Sequence, residues 1–250
     1  VAFISIAEVD EEASLEECWG ALPEWKVNQY KKASSARFRS ASSTGYLLAL
    51  VLAERASSRK LDIVRGLQRK PAFASEPNIQ FSIAHSGDYA VCALGEGPVG
   101  IDIENASRDF SGIASHVLSV GERAVRGRLA PAHRNRFACA IWTLKEALGK
   151  YRGCGLGYDL KAVSFDLEGR VPVLSDGCKG PSFRTFAVGR DYLLSVCTAE
   201  DESISWEFTS SKERHLAHRF WLHGFLRGSD LAYETRAGLL NLDRSGRSEP

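Results

Sequence analysis

Residues 100–104 read Gly-Ile-Asp-Ile-Glu, and residues 142–150 read Trp-Thr-Leu-Lys-Glu-Ala-Leu-Gly-Lys. The first stretch alternates with a period of two, which predicts a strand with both carboxylates on one face and both isoleucines on the other. The second predicts a helix in which Glu146 and Lys150 lie four residues apart on one face. We therefore expect a fold that mixes sheet with helix and presents carboxylates from both.

The acidic residues of these two stretches predict a magnesium site. Asp102, Glu104 and Glu146 would supply oxygen ligands, and Mg²⁺ usually takes few carboxylates while completing its octahedron with water and substrate phosphate. Lys145 and Lys150 would face the phosphate charge that the metal leaves unneutralised. The structural alternative is that the helix carries an ordinary surface ion pair and that the strand carboxylates are the solvent face of an edge strand.

The composition is that of a folded protein without a general affinity for polyanions. The 250 residues are 44% hydrophobic and carry a net charge of +1, so the chain can bury a large core and any basic site must be local. We expect no nucleic-acid partner and no membrane contact, since no apolar run approaches the ~20 residues of a membrane span. Six dispersed cysteines without a CxxC pair predict reduced thiols and a cytoplasmic location.

Hydrophobic patterning predicts further elements around the two stretches. We expect a buried helix at 45–53, with Ser42-Ser43-Thr44 as its N-cap, and a second helix at 141–151. Turn residues and alternating patterns predict strands or hairpins at 1–9, 61–64, 79–85, 89–94, 99–104, 162–167 and 182–198.

The later half of the chain repeats the order of the earlier half. Each half places a helix before an antiparallel hairpin, and Asp88-Tyr89 in one hairpin corresponds to Asp191-Tyr192 in the other. We predict an α+β fold of two pseudo-duplicated halves, each an antiparallel sheet packed with helices. The predicted divisions are an N-terminal half at 1–98, a C-terminal half with the metal and catalytic residues at 99–202, and a C-terminal extension of unknown role at 203–250.

Two features follow from this division. A cleft between the halves is the natural place for a ligand, and Asp102 and Glu104 lie beside the boundary. In the extension, residues 206–226 are predicted to form an amphipathic helix or an added lid, and the last ten residues a frayed tail.

Two turns carry further candidate site residues. His85 ends a predicted strand and is followed by Ser86, and sites concentrate at such strand ends, although a lone histidine there is most often a partly exposed polar residue. Lys70-Pro71 lies next to Arg69 and is either a solvated turn or a proline-rigidified turn whose cations hold a nucleotide phosphate and whose backbone faces a base.

The order and spacing of these motifs resemble the 4′-phosphopantetheinyl transferases of the surfactin-synthetase-activating (Sfp) type. The resemblance covers roughly residues 1–200 and includes the glycine-rich run at 153–157 after the helix. It is carried by Lys70-Pro71, Phe81-Ser82-Ile83-Ala84-His85-Ser86-Gly87, Pro98-Val99-Gly100-Ile101-Asp102-Ile103-Glu104 and Trp142-Thr143-Leu144-Lys145-Glu146-Ala147-Leu148-Gly149-Lys150.

The resemblance implies a monomer of two similar α+β halves with coenzyme A bound between them. Such enzymes transfer the 4′-phosphopantetheine arm of coenzyme A to a serine of an apo carrier protein and release adenosine 3′,5′-bisphosphate. The matching positions imply that Asp102, Glu104 and Glu146 bind Mg²⁺. The coenzyme-binding set that we expect comprises Lys70 and Pro71 near the adenine, with His85, Ser86, Lys145, Lys150 and Arg39.

This chain departs from the family pattern at several positions. Ala84 stands where many relatives have serine, so one phosphate or ribose hydrogen bond is missing or comes from elsewhere. Relatives also carry an arginine a few residues before the glycine that matches Gly45, and the nearest candidates here are Arg37 and Arg39. Lys26, Lys31 and Lys32 are further candidate phosphate contacts.

The residue set suits attack by a serine hydroxyl on a phosphate. We expect Glu146 to be the general base, directly or through a metal-bound water, with its pKa depressed by the neighbouring cations, and Lys150 to stabilise developing charge. The arginine-rich segment 121–136 is either a docking face for an acidic carrier protein or a solvated loop. The alternatives are a non-catalytic protein that binds coenzyme A or a carrier, and a metal-dependent nucleotide phosphohydrolase.

Overall fold

Two four-stranded sheets, each covered by one long helix, form the body of the protein. The computed structural model describes residues 1–9, 17–66, 70–166, 172–174, 180–199, 202–208 and 217–219. The first part of the chain contains β1 (Ala2–Glu8), a 3₁₀ helix (Glu17–Ala21), α1 (Glu24–Lys32), α2 (Ala36–Ser57), β2 (Ile63–Arg65), β3 (Pro71–Phe73), β4 (Gln80–Ser86) and β5 (Tyr89–Gly95). It continues with β6 (Gly100–Asn105), α3 (Ser111–Val117), α4 (Val120–Arg128), α5 (Pro131–Arg152), β7 (Phe165–Asp166), β8 (Val173–Leu174), β9 (Ser182–Val188), β10 (Tyr192–Thr198), β11 (Ile204–Phe208) and β12 (Ala217–Arg219).

The two sheets share a three-stranded arrangement, β1-β5-β4 in one and β6-β10-β9 in the other, and differ in where the fourth strand is added. The first has the strand order β11-β1-β5-β4 and the second β12-β9-β10-β6. In each, an initial strand pairs antiparallel with the last strand of a hairpin, and the helix between them, α2 or α5, has 22 residues. The predicted α+β fold of two pseudo-duplicated halves is therefore confirmed.

Buried apolar residues form three clusters, one under each long helix and one between the two sheets. One cluster joins α2 to the outer face of the first sheet, and another joins α5 to the outer face of the second. The third lies between the sheets and includes Ile101 and Ile103, which are at most 1% exposed. The isoleucines of β6 therefore point into the shared core, as the alternating pattern predicts.

The edge strands β4 and β6 meet where the two sheets adjoin. The hydroxyl of Ser82 accepts a hydrogen bond from the backbone nitrogen of Ile101 at 3.1 Å, and the hydroxyl of Ser86 accepts one from Asn105 at 3.1 Å. Both pairs are separated by 19 residues, so the strands run in the same direction with serine side chains between them. This contact, which we call the serine seam, joins the halves next to the predicted metal ligands.

Both long helices extend beyond their predicted bounds. Helix α2 is capped by Ser35, whose side chain accepts a hydrogen bond from the backbone nitrogen of Phe38. The predicted N-cap at Ser42-Ser43-Thr44 is wrong, because Ser42 and Ser43 are buried within the helix. Helix α5 begins with Pro131, which has no N–H and so needs no hydrogen-bond acceptor at a helix start, and is capped after Arg152 by Gly153, whose φ is +77°.

The segment after residue 203 does not follow the prediction where the structure describes it. Trp206 lies in β11, which pairs parallel with β1, so these residues form sheet rather than an amphipathic helix or lid. The strand adds to the first sheet because its backbone finds unpaired partners at that edge. The remainder of 206–226, apart from β12, and the predicted tail lie outside the described residues. No helix in the described part of the chain is both long and apolar enough to cross a membrane.

Candidate active site

The last turn of α5 is bonded to β6. Nζ of Lys150 donates to Oδ1 of Asp102 at 2.8 Å and to the carbonyl oxygen of Ile101 at 3.0 Å. Gly100 permits this approach, because a Cβ there would overlap the carbonyl of Ala147 on the helix. A strand and a helix predicted from separate motifs therefore form two walls of one site.

Asp102 has one oxygen with a partner and one without. Oδ1 is held by Lys150, whereas Oδ2 is buried and has no hydrogen-bond partner among the described residues. An unpaired buried carboxylate oxygen is costly, so its persistence in the fold points to a ligand that binds there.

Glu104 is oriented by two neighbours. Its Oε2 accepts a hydrogen bond from the Ser86 hydroxyl at 2.8 Å and from Nη1 of Arg108 at 3.2 Å. Ser86 is predicted to bind the coenzyme, but its proton is donated to this carboxylate instead. Arg108 is absent from the predicted site, because Glu104 lies in a strand and Arg108 follows a turn, where a spacing of four residues does not predict an ion pair.

Burial raises the pKa of both Asp102 and Glu146. The pKa of Asp102 rises to about 7 because the group is desolvated; Lys150 opposes the rise, and Glu146 and Glu104 reinforce it. Desolvation also raises the pKa of Glu146, against the attraction of Lys150. The prediction that cations depress the pKa of Glu146 is therefore wrong, because loss of solvent outweighs a single nearby ammonium group.

The three carboxylates suit a magnesium ion chemically but do not form a closed cage. Within the described ranges, no three acidic, histidine or cysteine side chains converge closely enough to hold a metal by themselves. Mg²⁺ is commonly held by one or two carboxylates together with water and substrate phosphates. The open Oδ2 of Asp102 fits such a partial site, and Glu104 and Glu146 lie close enough to raise its pKa.

Lys145 lies elsewhere, and the prediction that it contacts phosphate is wrong. Its side chain is fully buried, and its ammonium donates to Oε2 of Glu122 at 2.7 Å and to the carbonyls of Val117 and Leu160 at 2.8 Å. A lysine ammonium has three protons, so all are committed. Lys145 instead joins α5 to α3, α4 and the segment after α5, and Glu122 is the partner that sequence spacing did not reveal.

A cavity of about 260 Å³ lies beside the acidic site. Its lining includes Lys70 and Pro71 from the start of β3, Lys150, and Gly153 and Gly155 from the turn after α5. Nζ of Lys70 also donates to the carbonyl of Val99 at 3.3 Å, and burial lowers the pKa of Lys70. The structure thus brings together the predicted turn, the predicted helix lysine and the glycine-rich run.

His85 and Arg39 have separate surroundings. The ring of His85 packs edge-on against Phe38 at 5.6 Å, and burial lowers its pKa, with further contributions from Lys150 and Lys26. Arg39 lines a second cavity, of about 510 Å³, together with Lys31. One of its nitrogens donates to the carbonyl of Ala33 at 2.6 Å.

Arg37 and Lys26, which were also candidate phosphate contacts, both have partners within the protein. Arg37 forms an ion pair with Asp88 and is held by the carbonyl of Gly87, which leaves Arg39 as the arginine that faces a cavity. The ammonium of Lys26 is buried among aromatic rings, 4.9 Å from the centre of Tyr46 and 5.0 Å from that of Tyr30.

The arginines of 121–136 lie in α4 and the start of α5. Several of their guanidinium groups bind backbone carbonyls: Arg123 to Leu118 at 2.7 Å, Arg126 to Arg134 at 3.1 Å, and Arg134 to Leu129 at 3.0 Å. Val120 at the start of α4 is 76% exposed. The segment is therefore an ordered helical surface rather than a solvated loop.

Comparison with known proteins identifies the family. The model of the 4′-phosphopantetheinyl transferase superfamily matches residues 98–217. The 4′-phosphopantetheinyl transferase ffp of Bacillus subtilis is 31% identical over 161 residues, which are 62% of this chain and 72% of that protein. The chain belongs to the 4′-phosphopantetheinyl transferase superfamily. The resemblance predicted from the motifs is thus confirmed, and the paired walls of β6 and α5 lie within the matched region.

Other members of the superfamily match shorter parts. A second 4′-phosphopantetheinyl transferase of Bacillus subtilis is 32% identical over 136 residues, or 53% of this chain and 61% of that protein. The 4′-phosphopantetheinyl transferase AcpT of Escherichia coli O157:H7 is 40% identical over 95 residues, which are 37% of this chain and 49% of that protein. The matches therefore span less than two thirds of either relative. A solved holo-(acyl-carrier-protein) synthase from Bacillus anthracis is 19% identical with a TM-score of 0.35, and the match covers 41% of this chain and 96% of that one.

Proposed function

We propose that this protein transfers the 4′-phosphopantetheine group of coenzyme A to a serine of an apo carrier protein, in a Mg²⁺-dependent reaction that releases adenosine 3′,5′-bisphosphate. The observation that carries the proposal is the bond between Lys150 and Asp102, which sets a cation and an unpaired carboxylate oxygen side by side next to a cavity. Phosphoryl transfer needs this combination, because the pyrophosphate must be held and its growing charge neutralised.

Coenzyme A would bind across the cavity and the acidic site. Lys70 and Lys150 both reach the cavity, so each can hold a phosphate oxygen while Pro71 fixes the turn beside the base. His85, kept neutral by burial, would donate a single hydrogen bond to a phosphate. Arg39 and Lys31 in the second cavity would hold a further phosphate of the nucleotide end.

Magnesium would neutralise phosphate charge and polarise the phosphorus when it is bound by Asp102 and Glu104 together with Glu146. Lys150 would stay on Oδ1 of Asp102 and turn its remaining donor capacity toward the phosphate. Glu146 accepts no hydrogen bond from any described residue, so its carboxylate is available to take the serine proton, directly or through a water.

The carrier protein would approach the open end of the cleft. Carrier domains with acidic helices would find a complementary face on α4, where Val120 is exposed and Arg123, Arg126 and Arg128 lie on one short helix. We further propose that the protein works as a monomer in the cytoplasm and that the cleft between residues 1–98 and 99–202 holds the coenzyme.

A carrier mass assay tests the proposal. The protein is incubated with coenzyme A, Mg²⁺ and several unrelated apo carrier proteins, and each carrier is weighed by mass spectrometry. We expect at least one carrier to gain one phosphopantetheine unit, and expect no gain without Mg²⁺. Unchanged carrier masses with intact coenzyme would indicate a binding protein, and cleaved coenzyme with unchanged carriers would indicate a phosphohydrolase.

A further inference from the structure

We infer that Ser86 is a positioning residue that fixes the carboxylate of Glu104, and that Tyr192 of the other half locks the turn that carries it. The inference rests on the proposed function in one respect, namely that Glu104 serves a metal ion. It assigns Ser86 a role different from contact with the coenzyme.

The hydrogen bonds of Ser86 are used within the protein. Its side chain is buried; the hydroxyl donates to Oε2 of Glu104 at 2.8 Å and accepts from the backbone nitrogen of Asn105 at 3.1 Å. A hydroxyl has one proton, so Ser86 cannot also donate to a coenzyme phosphate while it holds Glu104.

The effect of Ser86 on Glu104 is directional. Ser86 and Arg108 both bind Oε2, and Oε1 has no hydrogen bond to the described residues. The carboxylate is therefore held by one oxygen and presents the other. Groups that orient a metal ligand in this way commonly change metal affinity by about 10- to 100-fold when removed.

The turn that follows Ser86 is fixed from the opposite half of the molecule. The hydroxyl of Tyr192 accepts a hydrogen bond from the backbone nitrogen of Asp88 and donates one to Oδ2 of Asp88, both at 3.0 Å. Arg37 binds the other carboxylate oxygen of Asp88 and the carbonyl of Gly87. Gly87 has φ +51°, and a Cβ there would collide with the Tyr192 hydroxyl. Only glycine can therefore occupy this position while Tyr192 stays bonded to the turn.

Ser82 provides a matched comparison within the serine seam. Its hydroxyl accepts a hydrogen bond from the backbone nitrogen of Ile101, as that of Ser86 does from Asn105, and both serines are buried on the same face of β4. Only the Ser86 hydroxyl is bonded to a carboxylate. Removal of either hydroxyl breaks the seam at one point, but only the Ser86→Ala change takes a hydrogen bond from Glu104 and leaves its carboxylate held by Arg108 alone.

Binding of Mn²⁺ to the intact protein tests the inference. The metal is titrated in saturating coenzyme A without carrier, and the electron paramagnetic resonance signal of free Mn²⁺ reports the unbound ion. We expect Ser86→Ala to weaken Mn²⁺ binding about 10-fold, and Tyr192→Phe, which loosens the turn, about fivefold. Ser82 also lines the cavity beside the acidic site, so the comparison is made at saturating coenzyme A, where Ser82→Ala should leave Mn²⁺ affinity within about twofold of the parent because no carboxylate loses a hydrogen bond.

A second titration separates positioning from coenzyme contact. Coenzyme A affinity is measured in EDTA for the same variants, and Ser86→Ala should keep it within about twofold because its proton is not given to the coenzyme. Loss of coenzyme affinity with unchanged Mn²⁺ affinity would overturn the inference, as would equal metal affinity in Ser86→Ala and Ser82→Ala. Absence of Mn²⁺ binding by the parent protein would overturn it too, whereas the carrier mass assay judges the transfer separately.

Discussion

Nζ of Lys150 lies 2.8 Å from Oδ1 of Asp102, so the end of α5 is bonded directly to β6. The ion pair neutralises one oxygen of a buried carboxylate and leaves the other, Oδ2, without a partner in the described structure. Glu146, one helical turn before Lys150, lies close enough to raise the pKa of Asp102 further. The arrangement costs the free protein stability, and this cost is expected where a fold holds a site ready for a ligand.

Replacing Glu146 tests its role as the base. We expect Glu146→Gln to lower the transfer rate at least about 100-fold, because proton transfer by a positioned base contributes that much or more. Coenzyme A affinity should stay within about tenfold, since the loss falls on the transition state. Rates come from single-turnover carrier modification and affinity from calorimetry. Glu96→Gln, at an exposed turn, is the control and should leave both unchanged. Equal loss of binding and rate would instead mark Glu146 as a residue that holds the coenzyme.

Removing Lys145 should harm the fold more than a lost phosphate contact would. We expect Lys145→Met to lower the free energy of unfolding by about 3–5 kcal/mol, because it leaves the buried Glu122 carboxylate without its partner. The double variant Lys145→Met with Glu122→Gln should recover much of this loss, since no unpaired charge remains. Urea unfolding of both variants checks the prediction. A single variant as stable as the parent would contradict the structural role.

Gly100 is expected to tolerate no side chain. A Cβ there would overlap the carbonyl oxygen of Ala147 and lie 2.6 Å from the backbone nitrogen of Tyr151, and neither backbone atom can move without displacing α5. We expect Gly100→Ala to cost about 3 kcal/mol of unfolding free energy, which is typical of overpacking. In Gly112→Ala, where no atom lies within 4 Å, the change should stay below about 1 kcal/mol. Equal stability of the two variants in urea would show that β6 and α5 are less closely packed.

The titration of Asp102 should give the metal-free protein a distinctive pH dependence. Because burial raises the pKa of Asp102 from 3.8 to about 7, the folded state binds more protons than the unfolded state within this window. Stability therefore falls as the pH rises from about 4 to about 7. Urea unfolding in EDTA should show Asp102→Asn gaining stability relative to the parent protein across this range.

Asp62 is exposed, and Asp62→Asn serves as the control for that titration. Its free energy of unfolding, plotted against pH, should run parallel to that of the parent protein. Parallel curves for Asp102→Asn as well would contradict the raised pKa of Asp102. Added Mg²⁺ should reverse the effect above about pH 7, since the ion binds the ionised carboxylate.

Sequence patterns predicted which side chains share a face where local geometry decides. The period of two in β6 was enough to separate Asp102 and Glu104 from the core isoleucines, because alternation is fixed by strand geometry. Helical spacing likewise placed Glu146 and Lys150 on one face. The repeated order of helix and hairpin predicted two similar halves, which the two sheets confirm.

The errors concern partners that are distant in sequence. Helical periodicity gives the direction of Lys145 but not the carboxylate that meets it, and Glu122 lies 23 residues earlier. The same holds for Ser86. The sequence predicts that Ser86 follows the end of a strand, but its hydrogen bond to Glu104 depends on how the two halves adjoin. Strand β11 pairs with β1 from the opposite end of the chain, and a short pattern near Trp206 carries no sign of that pairing.

We propose that this cleft transfers phosphopantetheine to a carrier rather than to water. The most direct measurement quantifies holo carrier protein and adenosine 3′,5′-bisphosphate in the same reaction, by mass spectrometry and chromatography. We expect equal amounts of the two products at every time point, both formed at least about 100-fold more slowly by Glu146→Gln. Nucleotide that accumulates while the carriers stay unmodified would contradict it.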